Sequence, residues 1–193
     1  LAFIATYQIS SSSAFFHFMH LVYILGAATL IFLLLRELGS NKLLAFFAGF
    51  LLLVHPFNNE VANYISAFPE VWYVIFMLLA ALFYAKHRRG FLPITRDKNL
   101  LLAFLFYFLG LLTKETAFLF PAVALALDVF VFRLPFKNLF KAREITKYAV
   151  FGVLFVVYLA MRVLALGGIP EPKPFYQFTA FERVYFFFDL LGK

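Results

Sequence analysis

The sequence predicts an all-α, polytopic membrane fold, with about six helices crossing a bilayer and the start of a seventh. Three observations carry this. The 193 residues are 64% hydrophobic and 14% charged, where a soluble domain has roughly half and a quarter. The apolar runs are continuous rather than alternating. In lipid only helices and closed barrels satisfy their own backbone, and the lack of alternation excludes the barrel. Finally, the basic residues gather in clusters between the apolar runs instead of forming one stripe. The formal charge of +7 therefore reads as a topology signal rather than a nucleic-acid footprint.

The six expected spans are residues 14–35, 42–55, 70–86, 99–113, 116–132 and 147–166. Each approaches the roughly 20 residues that cross about 30 Å of hydrocarbon, some falling short. Serines 10–13 precede the first span and suit helix capping. Pro56 stops the second span. Only Lys114-Glu115 separates the fourth from the fifth, so the two form a tight hairpin. Prolines 170, 172 and 174 make the stretch after the sixth span a stiff connector. A seventh helix begins near Phe178. The chain starts at Leu1 and ends at Lys193, and residues 1–193 are expected to be a partial membrane domain, an internal piece with a helix and an outer loop upstream. There is no cysteine, so disulfides and thiolate metal sites are excluded.

Twelve of the seventeen Lys and Arg residues follow the first, third and fifth spans, among them Arg36, Arg88, Arg89, Arg133 and Lys147. That side is the expected cytoplasmic face. The opposite, outer face then collects His17, His20, His55, Glu60, Glu70, Lys114, Glu115 and Arg162. Polar groups that can do chemistry thus converge on one membrane surface.

Each candidate also has a plainer reading. His55 and Glu60 bracket a polar loop, His55-Pro56-Phe57-Asn58-Asn59-Glu60. They can orient a hydroxyl, ligate a divalent cation or act as a base, or they simply cap a solvated loop. Lys114 can hold a phosphate with Glu115 fixing it, or the two are a charged turn. Arg162 can bind phosphate in a bidentate way or snorkel to the surface. Asp128 reads as a helix-end pairing or cap, and His87 as topological charge. His17 and His20 share a helix face without a third metal ligand at standard spacing, so no metal site is assigned and any need for a divalent cation stays open. Trp72 belongs to an interfacial aromatic belt.

Taken in order, Phe16-His17, Leu35-Arg36-Glu37-Leu38, His55-Pro56 with Glu60 and Ile65-Ser66, Leu112-Thr113-Lys114-Glu115-Thr116, Pro121, Asp128 and Tyr158 with Arg162 resemble one family. That is the membrane part of the transmembrane and tetratricopeptide-repeat O-mannosyltransferases and their bacterial relatives, which are glycosyltransferases of the GT-C type. The resemblance covers roughly residues 15 to 190 and rests on the order of the motifs, each weak alone. It implies an enzyme, a hexosyltransferase moving a sugar from a polyprenyl-phosphate carrier to a hydroxyl of a protein or glycan acceptor at the outer face. Membrane lipid is a partner and nucleic acid is not.

By the resemblance, His55, Glu60, Lys114 and Glu115 match family motifs, and Lys114 with Arg162 suits a phosphate leaving group. The acidic pair that relatives carry in their first outer loop has no counterpart here. It is expected upstream of Leu1, so the piece alone is expected to be inactive. Glu70 stands where relatives have Arg-Asp, and no tetratricopeptide repeats are present. The expected location is a membrane, the bacterial inner membrane, with the active face toward the periplasm. The competing classes are a lipid or lipid-linked-sugar transporter, which would show inverted repeats and mid-membrane charges, and a structural subunit whose charges only set topology.

Overall fold

The computed structural model describes residues 12–55, 68–90 and 97–166. These are helical throughout apart from short connections, with no strand among them. Helix α1 spans Ser13–Glu37, α2 Lys42–Val54, α3 Phe68–Arg89 and α4 Lys98–Thr113. A 3-10 turn, Glu115–Leu119, leads into α5, Phe120–Ala126, and on into a π turn, Leu127–Val131. A single turn, α6, Phe136–Leu139, precedes α7, Ala142–Leu166.

All six expected spans coincide with helical stretches. Among the described residues three helices are long and apolar enough to cross a membrane: α1 over Ala14–Glu37, α3 over Pro69–Arg89 and α7 over Ala142–Ala165. The other three are shorter for local reasons. Helix α2 has 13 residues and ends at His55, whose extended backbone (φ −67°, ψ 128°) is what the residue before a proline prefers. Helix α4 has 16 residues and is capped by Lys114, also extended (φ −151°, ψ 130°), which breaks the helix before the 3-10 turn. The expected fifth span is a composite of 3-10, α and π turns. Pro121 sits in the first turn of α5, where its missing N–H is tolerated, and resets the helix there. The connector after Leu166 and the seventh helix lie outside the described residues.

Local chemistry sets the remaining boundaries. Between α1 and α2 the chain turns through Gly39, whose φ of +94° is cheap for glycine only. The Asn41 side chain then accepts the Leu44 N–H at 2.7 Å to start α2. Asp97 caps α4 by accepting from Asn99 and Leu100. Both α3 and α7 extend further than expected, to Arg89 and back to Ala142. Their charged residues, expected in loops, lie within the helices.

The chain divides into two units, residues 1–158 and 159–193. In the first, α1 packs on α2 and on α3, and α3 packs on α4. The α1–α2 approach is close because Gly49 faces the Ala28 carbonyl; a Cβ at Gly49 would lie 2.8 Å from that oxygen. Tyr84, Tyr107, Phe120 and Phe151 form an aromatic core, with Phe151 edge-on to Phe104, Tyr107 and Phe120. The outward face of α2, with Leu43, Phe46, Phe47, Phe50 and Leu51, is apolar and exposed, as a lipid-facing surface must be. In the second unit the described residues, 159–166, are the last turns of α7.

Candidate functional site

Among the described residues of the first unit, the ion pairs gather at the two ends of α3. Glu70 lies in its first turn and Arg88 near its last. Eighteen residues at 1.5 Å each separate them by about 27 Å, close to the thickness of the hydrocarbon layer.

At the Glu70 end, α4 stops and the 3-10 turn begins. Lys114 joins them, and its N–H closes the last turn of α4 on the Gly110 carbonyl at 2.9 Å. The extended backbone swings its side chain toward α3. The ammonium lies 2.5 Å from both carboxylate oxygens of Glu70 and 6.0 Å from the centre of the Tyr73 ring. The two charged side chains are 36% and 45% exposed. Helix dipoles favour this placement, since a carboxylate suits the first turn of α3 and a cation the end of α4. The pair is thus held at a helix junction and open on one side.

At the other end the groups are sealed. The Asp128 carboxylate is 0% exposed and is turned inward by the π turn. One oxygen accepts from Tyr84, Tyr148 and Lys147 at 2.8, 2.8 and 2.9 Å, and the other from Arg88 at 2.6 Å. Glu144 accepts from Arg88 at 2.9 Å and from Lys147 at 2.6 Å. Two cations and two carboxylates balance, and the Lys147 ammonium also lies 4.8 Å from the centre of the Tyr84 ring. Beside them the His87 imidazole meets Asp97 at 2.5 Å. Burial pushes the Asp97 carboxyl up, but the bonds from His87, Asn99 and Leu100 outweigh it and hold the carboxyl below its ordinary value. Nearly every polar atom here is consumed, so the cluster reads as a lock joining α3, the π turn and α7.

The sequence-predicted residues fall out as follows. Lys114 is at the open end, and the partner the structure gives it is Glu70, not Glu115. Glu115 opens the 3-10 turn. His55 is exposed at the end of α2. Arg162 lies in the second unit, on the last turns of α7. Glu60 lies outside the described residues. Glu70, read as a stand-in acid, has its carboxylate committed to Lys114. Asp128 is indeed paired. His87 is not a solvated topological charge; it is 2% exposed because it faces the capped start of α4. Tyr84, Arg88, Glu144, Lys147 and Tyr148 were missed as a cluster. The one available signal was a lone aspartate, Asp128, inside an apolar run. Among the described residues no group of three His, Asp or Glu stands ready to hold a metal ion.

A family model described as dolichyl-phosphate-mannose-protein mannosyltransferase matches residues 4–186. No curated protein and no solved structure matches the chain.

Proposed function

The chain belongs to the dolichyl-phosphate-mannose-protein mannosyltransferase family, and from that premise we propose that it takes part in transferring a sugar from a polyprenyl-phosphate carrier to a protein hydroxyl at the outer face of a membrane. The family and the apolar helices make it a membrane glycosyltransferase; donor, face and residue roles are the proposal. It includes six crossings, with the shorter segments spanning too, and the bacterial inner membrane with the periplasm as the outer side.

In the reaction the acceptor oxygen attacks the anomeric carbon of the sugar. The bond from that carbon to the phosphate oxygen breaks, and the electron pair leaves with the phosphate. The hydroxyl proton passes to a carboxylate of the outer face. The base in this proposal is the acid that relatives carry in their first outer loop, and Glu60 and His55 orient the hydroxyl. Attack from the side opposite the phosphate inverts the anomeric centre.

Negative charge grows on the departing phosphate, so fixed cations there lower the barrier. Lys114 supplies one, with Glu115 beside it. The observation that carries the reading is the open Lys114 ammonium at the α4 junction, about 27 Å along α3 from the sealed basic cluster. No second class of function has a structural observation of its own.

The test is sugar transfer by the full-length protein in membrane vesicles. A hydrogen bond to a charged group is worth about 1.5–3 kcal/mol, so Lys114→Ala should lower kcat/KM for the lipid-linked donor by about 10- to 100-fold. Glu60→Gln should also cut transfer at unchanged expression. Wild-type rates in both variants would remove these residues from the site.

A further inference from the structure

We infer that Glu70 is a positioning residue for the donor phosphate, holding Lys114 so that part of its ammonium stays free for a phosphate oxygen. The inference rests on the phosphate-binding reading of Lys114 and goes beyond it, because nothing in that reading requires Glu70.

A lysine is a flexible, strongly hydrated point charge, and its position is normally ill defined. Here it is well defined. Both Glu70 oxygens lie 2.5 Å from Nζ, and the Tyr73 ring, one turn along α3, backs the ammonium at 6.0 Å. An ammonium has three N–H donors. Glu70 engages at most two of them and leaves at least one. The pair is not buried, at 36% and 45% exposed, so a phosphate can reach it. A carboxylate serving as the base would need a free oxygen facing the acceptor, and both Glu70 oxygens are turned to Lys114. Among the described residues Glu70 is the carboxylate that meets the cation at this end of α3.

A plain structural clip between α3 and α4 would show the same pair, so the experiment must separate the two. In the full-length protein, kcat and KM are measured for the lipid-linked sugar donor and for the acceptor. The variants are Glu70→Gln, Lys114→Ala, the two together, and the exchanged pair Glu70→Lys with Lys114→Glu. Glu70→Gln is expected to raise the donor KM about fivefold, the scale of a part-exposed ion pair, with the acceptor KM unchanged. In the Lys114→Ala background it should add nothing. The exchanged pair should recover part of the thermal stability lost in Lys114→Ala, short of wild type because both helix-end charges are reversed, without recovering transfer.

A donor KM at or below wild type in Glu70→Gln, or transfer restored by the exchanged pair, overturns the inference. If Lys114→Ala itself keeps the wild-type kcat/KM for the donor, the phosphate-binding reading falls and the role of Glu70 falls with it. If Lys114→Ala lowers that kcat/KM while Glu70→Gln leaves the donor KM unchanged, only the role of Glu70 falls.

Discussion

Asp128→Ala tests the lock at the Arg88 end of α3. The substitution removes the acceptor for four donors at 2.6–2.9 Å, those of Arg88, Lys147, Tyr84 and Tyr148. It leaves two cations facing the single carboxylate of Glu144, with the Lys147 side chain only 2% exposed. Summing four charge-assisted bonds at about 1.5–3 kcal/mol each would overstate the loss, because the two tyrosines can turn to other partners. Breaking a buried pair by removing one member costs about 3–5 kcal/mol, mostly through the charge left uncompensated. For a chain of this size that is a fall in Tm of roughly 6–20 °C. The assay is thermal inactivation of the detergent-solubilised protein, read by recovery of the monodisperse peak in size exclusion. Arg88→Met combined with Asp128→Leu removes a cation along with the carboxylate, so it should cost less than Asp128→Ala alone. The reasoning is refuted if Asp128→Ala stays within about 1 kcal/mol of wild type, the range of an exposed pair, or if the double variant is the less stable of the two.

Two further predictions concern packing and pH. Gly49→Ala places a Cβ 2.8 Å from the Ala28 carbonyl oxygen. That oxygen belongs to backbone and cannot swing aside, so α1 and α2 must separate, at a cost of about 1–3 kcal/mol; unchanged thermal stability would show that the helices are not held in this contact. Asp97 has a folded pKa below its ordinary 3.8. Its stabilisation is therefore complete above that value and is lost as pH falls below it toward the folded pKa. Asp97→Asn should be less stable at neutral pH, and the difference from wild type should shrink below about pH 3.8 in a pH series of unfolding midpoints. A constant difference across the series would refute the assignment.

The parts of the fold legible in the sequence were those with local signatures. Continuous apolar runs marked the helical segments, Pro56 marked the end of α2, and Lys114-Glu115 marked the break after α4; the division of residues 115–131 into 3-10, α and π turns was not legible. The pairings were not legible, because they join residues far apart in sequence. Glu70 and Lys114 are 44 positions apart, and Arg88 and Glu144 are 56. Helical periodicity gives little help in such a chain. A helix with lipid on one side and protein on the other is apolar all round, so nothing indicates which face of α3 meets α4. Arg88 and Lys147 were assigned to loops because a charge next to an apolar run ordinarily ends it. Here each is neutralised inside the helix by a partner that only the fold supplies. The motif order pointed to the family and so to Lys114, but its carboxylate partner came from the fold.

The two ends of α3 also show why one polar cluster reads as a site and the other does not. Chemistry on a lipid-linked sugar needs a cation with unfilled donors and a path for both substrates. At the Arg88 end, charge is balanced, every carboxylate oxygen is bonded, and Arg88 Nη2 is the one atom of the lock left buried without a partner; a phosphate arriving there would have to break pairs that hold three elements together. At the Glu70 end, the ion pair is open, and losing it disturbs one helix junction. An exposed pair of this kind contributes at most about 1 kcal/mol to stability, which makes its geometry inexpensive to adapt to a ligand. A buried network cannot adapt in that way without destabilising the fold. The same physics that makes Asp128 a structural residue therefore leaves Lys114 available for function, and a substitution at one end should change stability where a substitution at the other changes catalysis.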